Sequence, residues 1–185
     1  MFRSVSSFLG LMALAAADSS GAHAFELTSP DIAEGKTIDT KHVYDSFGCT
    51  GGNVSPELTW SDPPAGTKSF AFAVHDPDAP TGGAGFWHWL VVDIPADVRG
   101  LKRGAGDASG KNLPLGAHQL ETDFGDKAYG GPCPPPGKPH RYVFTVYALK
   151  TESLGDAAHG RTAIAGFTIN QNALAKASIT ALFGR

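Results

Sequence analysis

Two short stretches of the chain carry side chains whose types could do chemistry. The first runs from Asp76-Pro77-Asp78-Ala79-Pro80 to Phe86-Trp87-His88-Trp89, and the second runs from Tyr129-Gly130-Gly131-Pro132-Cys133-Pro134 to His140-Arg141-Tyr142. Each places acid, imidazole or phenol groups at the end of an apolar run that is typical of a β-strand. Proline and glycine bound both stretches and stiffen their loops. The pattern predicts a rigid polar pocket.

Strand geometry determines which of these side chains can meet. Alternate residues of a strand point to the same face, so we expect His88 to lie beside Phe86, with Trp87 and Trp89 on the opposite face. These two tryptophans and Trp60 are expected to be core residues, because large aromatic side chains contribute much apolar area when buried.

The same alternation places His140 and Tyr142 on one face of the later strand. If the two strands are neighbours, these side chains converge with His88, and Asp76 reaches them from the turn after the preceding strand. Such a group can bind an oxyanion through N–H and O–H donors, with the carboxylate orienting one imidazole. It can also hold a divalent metal, or perform acid–base chemistry, because imidazole titrates near neutral pH.

The surrounding sequence favours the anion site among these chemistries. There is no G-x-S-x-G elbow of a serine hydrolase and no H-E-x-x-H pair of a metalloprotease. The prolines and glycines near Tyr142 suit a pocket with backbone N–H donors better than a metal cage. We therefore expect a small anionic ligand, with no catalytic residue, no metal and no cofactor. A weak hydrolase stays an alternative.

Each of these residues also has a structural interpretation. A histidine in an aromatic strand is often a core residue with satisfied hydrogen bonds. Asp76 and Asp78 precede prolines, and aspartates in turns commonly accept hydrogen bonds from nearby backbone N–H groups. Arg141 points away from the pocket face and is expected to form a structural ion pair. Four other histidines have no neighbours that indicate a role: His42, His75, His118 and His159.

The first 24 residues have the pattern of a secretory signal peptide. Arg3 precedes an apolar run at 8–17, and a polar stretch ends in the A-x-A site Ala22-His23-Ala24. The run is too short to span a bilayer, so no stable membrane insertion is expected. We expect cleavage after Ala24 and a periplasmic or secreted mature chain, residues 25–185, that forms a single domain. An N-terminal core helix is the alternative.

Charge and composition limit the partners. The net charge is −3 at pH 7 and no basic stripe is present, so nucleic acid is not an expected partner. The glycine-rich stretch 100–127 is weakly patterned and is predicted to be a long surface excursion. Such loops are usually functional or mobile, so the alternative to a small ligand is a protein partner, such as a protease or kinase, that the domain inhibits or modulates through this stretch.

The two cysteines, Cys49 and Cys133, both belong to the expected mature chain. Two thiols in an oxidising compartment most often pair. Closing a loop of about 85 residues would stabilise the fold by roughly 4.5 kcal/mol in the chain-entropy interpretation. The alternative is a reactive thiol, because Cys133 lies in the proline-rich loop.

Apolar runs indicate the elements that position these groups. Three strands are predicted at 69–75, 86–94 and 141–149, and a short edge element at 54–60. A short amphipathic helix fits 162–174, whereas the remainder of the chain fits either helix or strand. The absence of long helices between the strands favours an antiparallel sheet. Four residues are expected on one face of the third strand: Tyr142, Phe144, Val146 and Ala148.

Beyond these patterns, the chain closely resembles the phosphatidylethanolamine-binding protein family. The resemblance is carried by DPDAPTG, by the aromatic-His-aromatic segment, and by GPCPPPG with HRY. The layout is similar to its bacterial Raf-kinase-inhibitor-like branch over nearly the whole mature chain. The resemblance implies a mainly β fold, with a large central antiparallel sheet, a smaller flanking sheet and a few short helices near the C-terminus. The resemblance also implies that the stretch after Ala173 is a strand. The implied ligand-binding residues are Asp76, Pro80, His88, Gly131, Pro134, His140 and Tyr142.

The sequence also departs from the eukaryotic members of that family. Phe86-Trp87-His88 stands where they have Trp-His-His, and Cys133 stands where they carry glycine. The C-terminal extension that helps to close their pocket is not evident. Lipid headgroup specificity and kinase regulation therefore do not follow from the resemblance.

Overall fold

The computed structural model describes residues 24–185, so the predicted signal peptide, except for Ala24, lies outside the described residues. The strands are β1 (Glu26–Thr28), β2 (Leu58–Ser61), β3 (Ser69–Asp76), β4 (Phe86–Pro95), β5 (Gly100–Leu101), β6 (His118–Gln119), β7 (His140–Leu149) and β8 (Ala173–Phe183). The α-helix α1 spans Thr162–Asn172, and two short 3₁₀ turns span Thr40–His42 and Gly155–His159.

A five-stranded antiparallel sheet has the strand order β6-β4-β3-β7-β8. The three strands predicted from apolar runs are its three inner strands, so these predictions and the mainly β fold class are confirmed. The stretch after Ala173 is β8 and pairs with β7 along its length, as the resemblance implied. Because β3 lies between β4 and β7, residues at the end of β3 lie beside those at the beginnings of β4 and β7.

The smaller sheet has the order β1-β2-β5. The short element predicted at 54–60 contains the beginning of β2, but its prediction as an edge strand is wrong. β2 is the middle strand of this sheet and pairs on both sides. The prediction of a pure surface excursion at 100–127 is also wrong, since the stretch contains β5 and β6 and buries Leu101, Ala105 and Leu120. Strands of two residues are too short to show a periodic pattern.

The core has two parts, one on each face of the large sheet. Between the two sheets lie Trp60, Phe70, Phe72, Trp89 and Phe144, all fully buried. All four residues predicted on one face of β7 belong to this cluster. The other face of the large sheet is covered by α1, whose apolar side chains contact it. Among the described residues, no helix combines the length and apolar character needed to cross a membrane.

A β-bulge interrupts the regular alternation of β4. Val74 pairs with Trp89, but the next residue, His75, pairs with Trp87, so His88 is an extra residue in the strand. The prediction that the two tryptophans share a face is therefore wrong, because one inserted residue shifts the alternation. Trp89 is fully buried between the sheets, as expected of a core residue, whereas Trp87 is half-buried and packs on the opposite face, against Gly166 of α1.

Candidate functional site

A cavity of about 260 Å³ opens where β3 ends and where β4 and β7 begin. The two imidazoles, the phenol and the carboxylate converge as predicted, but the strands β4 and β7 are not neighbours, as the prediction supposed, and lie on either side of β3. Six of the seven predicted ligand-binding residues line this cavity: Asp76, Pro80, His88, Pro134, His140 and Tyr142.

Asp76 orients His140 at one side of the cavity. The Nδ1–H of His140 donates to Oδ2 of Asp76 at 2.7 Å, and Asp76 is only 3% exposed. The other carboxylate oxygen, Oδ1, accepts the backbone N–H of Asp78 at 2.8 Å. Asp76 therefore has both roles considered for it, as a turn residue and as a partner of the site imidazole. No described residue makes a hydrogen bond to the other ring nitrogen of His140, Nε2.

His88, on β4, is held by a hydrogen bond to a backbone carbonyl group. Its Nδ1 lies 2.7 Å from the carbonyl oxygen of Gly130, which can only accept, so the hydrogen is on Nδ1. Burial of the ring lowers the pKa of His88 to about 4, so the ring is neutral near pH 7. No described residue makes a hydrogen bond to its Nε2, and the ring lines the cavity.

Tyr142 supplies a hydroxyl with no partner. Its side chain is fully buried, and its OH makes no hydrogen bond of good geometry with a described residue, although the carboxylate of Asp76 lies close to it. Burial, with the negative charge of Asp76 adding to it, raises the pKa of the Tyr142 phenol well above its ordinary value. The phenol therefore stays protonated. Its ring packs edge-on against His88, with the ring centroids 5.1 Å apart.

The outer wall of the cavity is aromatic. Phe47, Phe86 and Phe124 line it, and Phe86 packs edge-on against Phe124 with centroids 4.8 Å apart. Sequence reasoning missed Phe124 because it is an isolated aromatic residue in the weakly patterned stretch 100–127, where no local signal distinguishes it. Tyr44 stacks on the outer side of Phe124 with centroids 4.3 Å apart, which fixes the wall in place.

A disulfide and the side chain of Arg185 hold the rim of the cavity. Cys49 and Cys133 form the predicted disulfide, so neither sulfur is a free thiol. The guanidinium of Arg185 donates from Nε to the carbonyl oxygen of Pro134 at 2.7 Å and from Nη1 to that of Gly48 at 3.2 Å. The disulfide joins the two loops directly and Arg185 bridges them, which restrains the mouth of the cavity.

Gly131 is the predicted ligand-binding residue that does not line the cavity. Its N–H donates to Oδ1 of Asn53 at 2.8 Å. A Cβ at this position would lie 2.2 Å from the carbonyl oxygen of His42 and 2.5 Å from the backbone nitrogen of Tyr44. The glycine is therefore required for the close approach of two backbone segments. A direct contact between Gly131 and a ligand stays a prediction.

The remaining predicted polar residues have structural contacts. Arg141 forms a two-point ion pair with Asp78, from Nε to Oδ2 at 2.9 Å and from Nη2 to Oδ1 at 2.7 Å, as expected. His42 is buried and its Nδ1 lies 2.6 Å from the carbonyl oxygen of Val54, a structural position that its sequence neighbours did not indicate. Within residues 24–185, no three His, Cys, Asp or Glu side chains are grouped so that they could hold a metal ion.

Residues 28–184 match the phosphatidylethanolamine-binding protein family. The chain is 51% identical to YbcL of Escherichia coli over 166 residues, which cover 89% of this chain and 90% of YbcL. It is 46% identical to YbhB of the same organism, over 85% of this chain and 99% of YbhB. A protein of Aquifex aeolicus is 39% identical over 90% of this chain and 92% of its own length.

The fold agrees with these similarities. The crystal structure of E. coli YbcL matches the structure with a TM-score of 0.84, covering 87% of this chain and 98% of that one. The family match extends over both sheets, α1 and every residue that lines the cavity. The chain therefore belongs to the phosphatidylethanolamine-binding protein family.

Proposed function

We propose that the protein binds a small oxyanion in the cavity, with phosphate, a phosphomonoester, a carboxylate or a phospholipid headgroup as the candidate ligands. The observation that carries this proposal is the buried hydroxyl of Tyr142, which has no hydrogen-bond partner among the described residues. A buried polar group without a partner costs about 1–3 kcal/mol, and native proteins rarely contain one without a reason. An oxyanion would accept the hydrogen of this hydroxyl.

The two imidazoles support the same ligand class. Nε2 of His140 is the ring nitrogen left free by the bond to Asp76, and Nε2 of His88 is left free by the bond to Gly130. With the hydroxyl of Tyr142, the cavity offers three polar atoms that have no partner among the described residues, from β4 and β7 on either side of β3. Three groups that converge from two strands suit the separate oxygens of one phosphate or carboxylate better than a linear apolar molecule.

The described residues that line the cavity offer no evident nucleophile for covalent catalysis, since none is a serine and the sulfur of Cys133 is in the disulfide. The hydroxyl of Thr81 already donates to the carbonyl oxygen of Gly85 at 2.8 Å. The aromatic wall formed by Phe47, Phe86 and Phe124 instead suits an organic group attached to the oxyanion.

We also propose that the protein is exported to the periplasm or secreted. The pattern of the first 24 residues supports this, since it combines a basic residue, a short apolar run and an A-x-A site. The disulfide between Cys49 and Cys133 adds support, because such bonds persist mainly in oxidising compartments.

The proposed ligand class is tested by thermal unfolding in saturating phosphate, phosphoethanolamine and acetate. A ligand at a hundredfold excess over its Kd stabilises the native state by about 2.7 kcal/mol, which corresponds to several degrees in Tm. We expect this rise with at least one of the three for the wild type, and its loss in His140→Ala. His159→Ala is the matched control, because this histidine is exposed and lies outside the cavity. An unchanged wild-type Tm with all three compounds would contradict the proposal.

A further inference from the structure

His88 presents an acceptor, not a donor, to the cavity. Its Nδ1–H is fixed on the carbonyl oxygen of Gly130 at 2.7 Å, so the neutral ring exposes a lone pair at Nε2. A deprotonated oxygen of a ligand also carries only lone pairs. The two atoms can form a hydrogen bond only if a proton is placed between them.

The other groups around His88 do not supply a compensating positive charge. From β3, Asp76 is the carboxylate that lines the cavity, and His75 lies on the opposite face against Trp87. From β7 come His140, bound to Asp76, and the neutral phenol of Tyr142. The 120–130 segment contributes the ring of Phe124 and the Gly130 carbonyl, neither of which is charged.

No lysine or arginine lines the cavity within residues 24–185. Arg141 is paired with Asp78, and Arg185 donates to backbone carbonyl oxygens of the rim. With His88 neutral, the carboxylate of Asp76 faces at most one cationic ring, that of His140. A dianion would therefore enter a buried cavity whose net charge is zero or negative, which costs free energy in a low-dielectric environment.

We infer that the oxyanion binds together with one proton, which lies between a ligand oxygen and Nε2 of His88. The inference rests on the oxyanion binding proposed above. It selects ligands that keep an acidic O–H in the complex, such as the monohydrogen form of a phosphomonoester or a carboxylic acid. A ligand that arrives fully ionised binds with uptake of a proton from solvent, and the bound state is the same.

In that state the polar atoms of His88 and Tyr142 that face the cavity have partners. The shared proton joins the ligand to Nε2 of His88, and the hydroxyl of Tyr142 donates to a second ligand oxygen. The Nδ1–H bonds of His88 and His140 to Gly130 and Asp76 are unchanged. Proton uptake makes the affinity rise as the pH falls.

The test uses sulfate as the probe, because sulfate itself does not titrate between pH 5.5 and 8. Calorimetric titration in two buffers of different ionisation enthalpy counts the protons taken up per bound ion. For the wild type we expect close to one proton at pH 7, and a Kd that rises about tenfold for each unit of increase in pH. This proton count needs no variant and is therefore independent of any effect of mutation on folding.

Two variants locate the proton. The His88→Gln side chain offers both an N–H donor and a carbonyl acceptor but does not titrate, so we expect a Kd that is nearly independent of pH. His75→Gln is the matched control, since this histidine lies on the other face of the same sheet, and it should keep the wild-type slope. A tenfold slope that survives in His88→Gln would overturn the inference, because the proton would then belong to another group.

The outcomes for the two proposals are separate. Sulfate binding with no proton uptake and a flat pH dependence would overturn this inference and leave the oxyanion site intact. Absence of binding of sulfate, phosphate and acetate at every pH would overturn the proposed function and this inference with it.

Discussion

The Nδ1–H of His140 donates to Oδ2 of Asp76 at 2.7 Å, and this bond connects the first residue of β7 to the last residue of β3. Asp76 is almost completely buried, and its second oxygen accepts the N–H of Asp78 in the following turn. The turn therefore holds the carboxylate, and the carboxylate holds the imidazole. A change at Asp76 should alter the position of a ring that we propose to contact the ligand.

We expect Asp76→Asn to raise the Kd for phosphate roughly tenfold to hundredfold, because a hydrogen bond to a charged group contributes about 1.5–3 kcal/mol. The substitution keeps the size of the side chain and removes its charge. Isothermal titration calorimetry measures the change. The matched control is Asp78→Asn, which removes a carboxylate from the same turn, one that binds Arg141 rather than a cavity residue. Wild-type affinity in Asp76→Asn would contradict the prediction.

The hydroxyl of Tyr142 should act against stability in the ligand-free protein. It is buried without a partner, so Tyr142→Phe removes a group whose burial costs about 1–3 kcal/mol. We expect the free energy of unfolding to stay the same or to rise by about that amount, while phosphate binding weakens. Urea denaturation with and without phosphate measures both effects.

Tyr129 provides a matched comparison for the phenol. Its side chain is equally buried, but its hydroxyl donates to the carbonyl oxygen of His42 at 2.8 Å. Tyr129→Phe removes a satisfied hydrogen bond and leaves a buried acceptor, so it should destabilise the protein by about 1 kcal/mol. If Tyr142→Phe lost as much stability as Tyr129→Phe in the absence of ligand, the hydroxyl of Tyr142 would have a partner in the protein.

Much of the site was predictable because strand alternation needs only local sequence. His140 and Tyr142 lie two residues apart on β7, and both line the cavity as the alternation requires. That Asp76 would orient one imidazole also followed from order along the chain, since it ends β3, but only the structure shows that this imidazole is His140. Apolar runs of eight to ten residues gave the three inner strands, because their buried faces leave a long hydrophobic pattern.

The parts that were not predictable depend on contacts between distant segments. The bulge at His88 is visible only in the pairing of β4 with β3, where two successive residues of β3 face Trp89 and Trp87. Phe124 has no local pattern and reaches the cavity only because β6 places its segment beside β4. The packing role of Gly131 is of the same kind, since it is set by a backbone segment nearly 90 residues earlier in the chain.

Gly131 and Gly130 together give a test of that packing role. A Cβ on Gly131 would meet backbone atoms of residues 42–44 at 2.2–2.6 Å, and backbone of a paired segment cannot move aside easily. A Cβ on Gly130 would instead meet the ring of Phe124 at 2.3 Å, and a side chain at the cavity wall can rotate or shift. The two adjacent glycines therefore differ in what a methyl group would displace.

We expect Gly131→Ala to lower the free energy of unfolding by roughly 3 kcal/mol or more, the upper part of the range for an overpacked interior. Gly130→Ala should cost less stability and should change ligand affinity instead, because it moves Phe124 in the cavity wall. Urea denaturation and phosphate titration of both variants separate the two effects. If Gly131→Ala folded with wild-type stability and lost only phosphate binding, its contribution would lie in the ligand site and the packing explanation would be wrong.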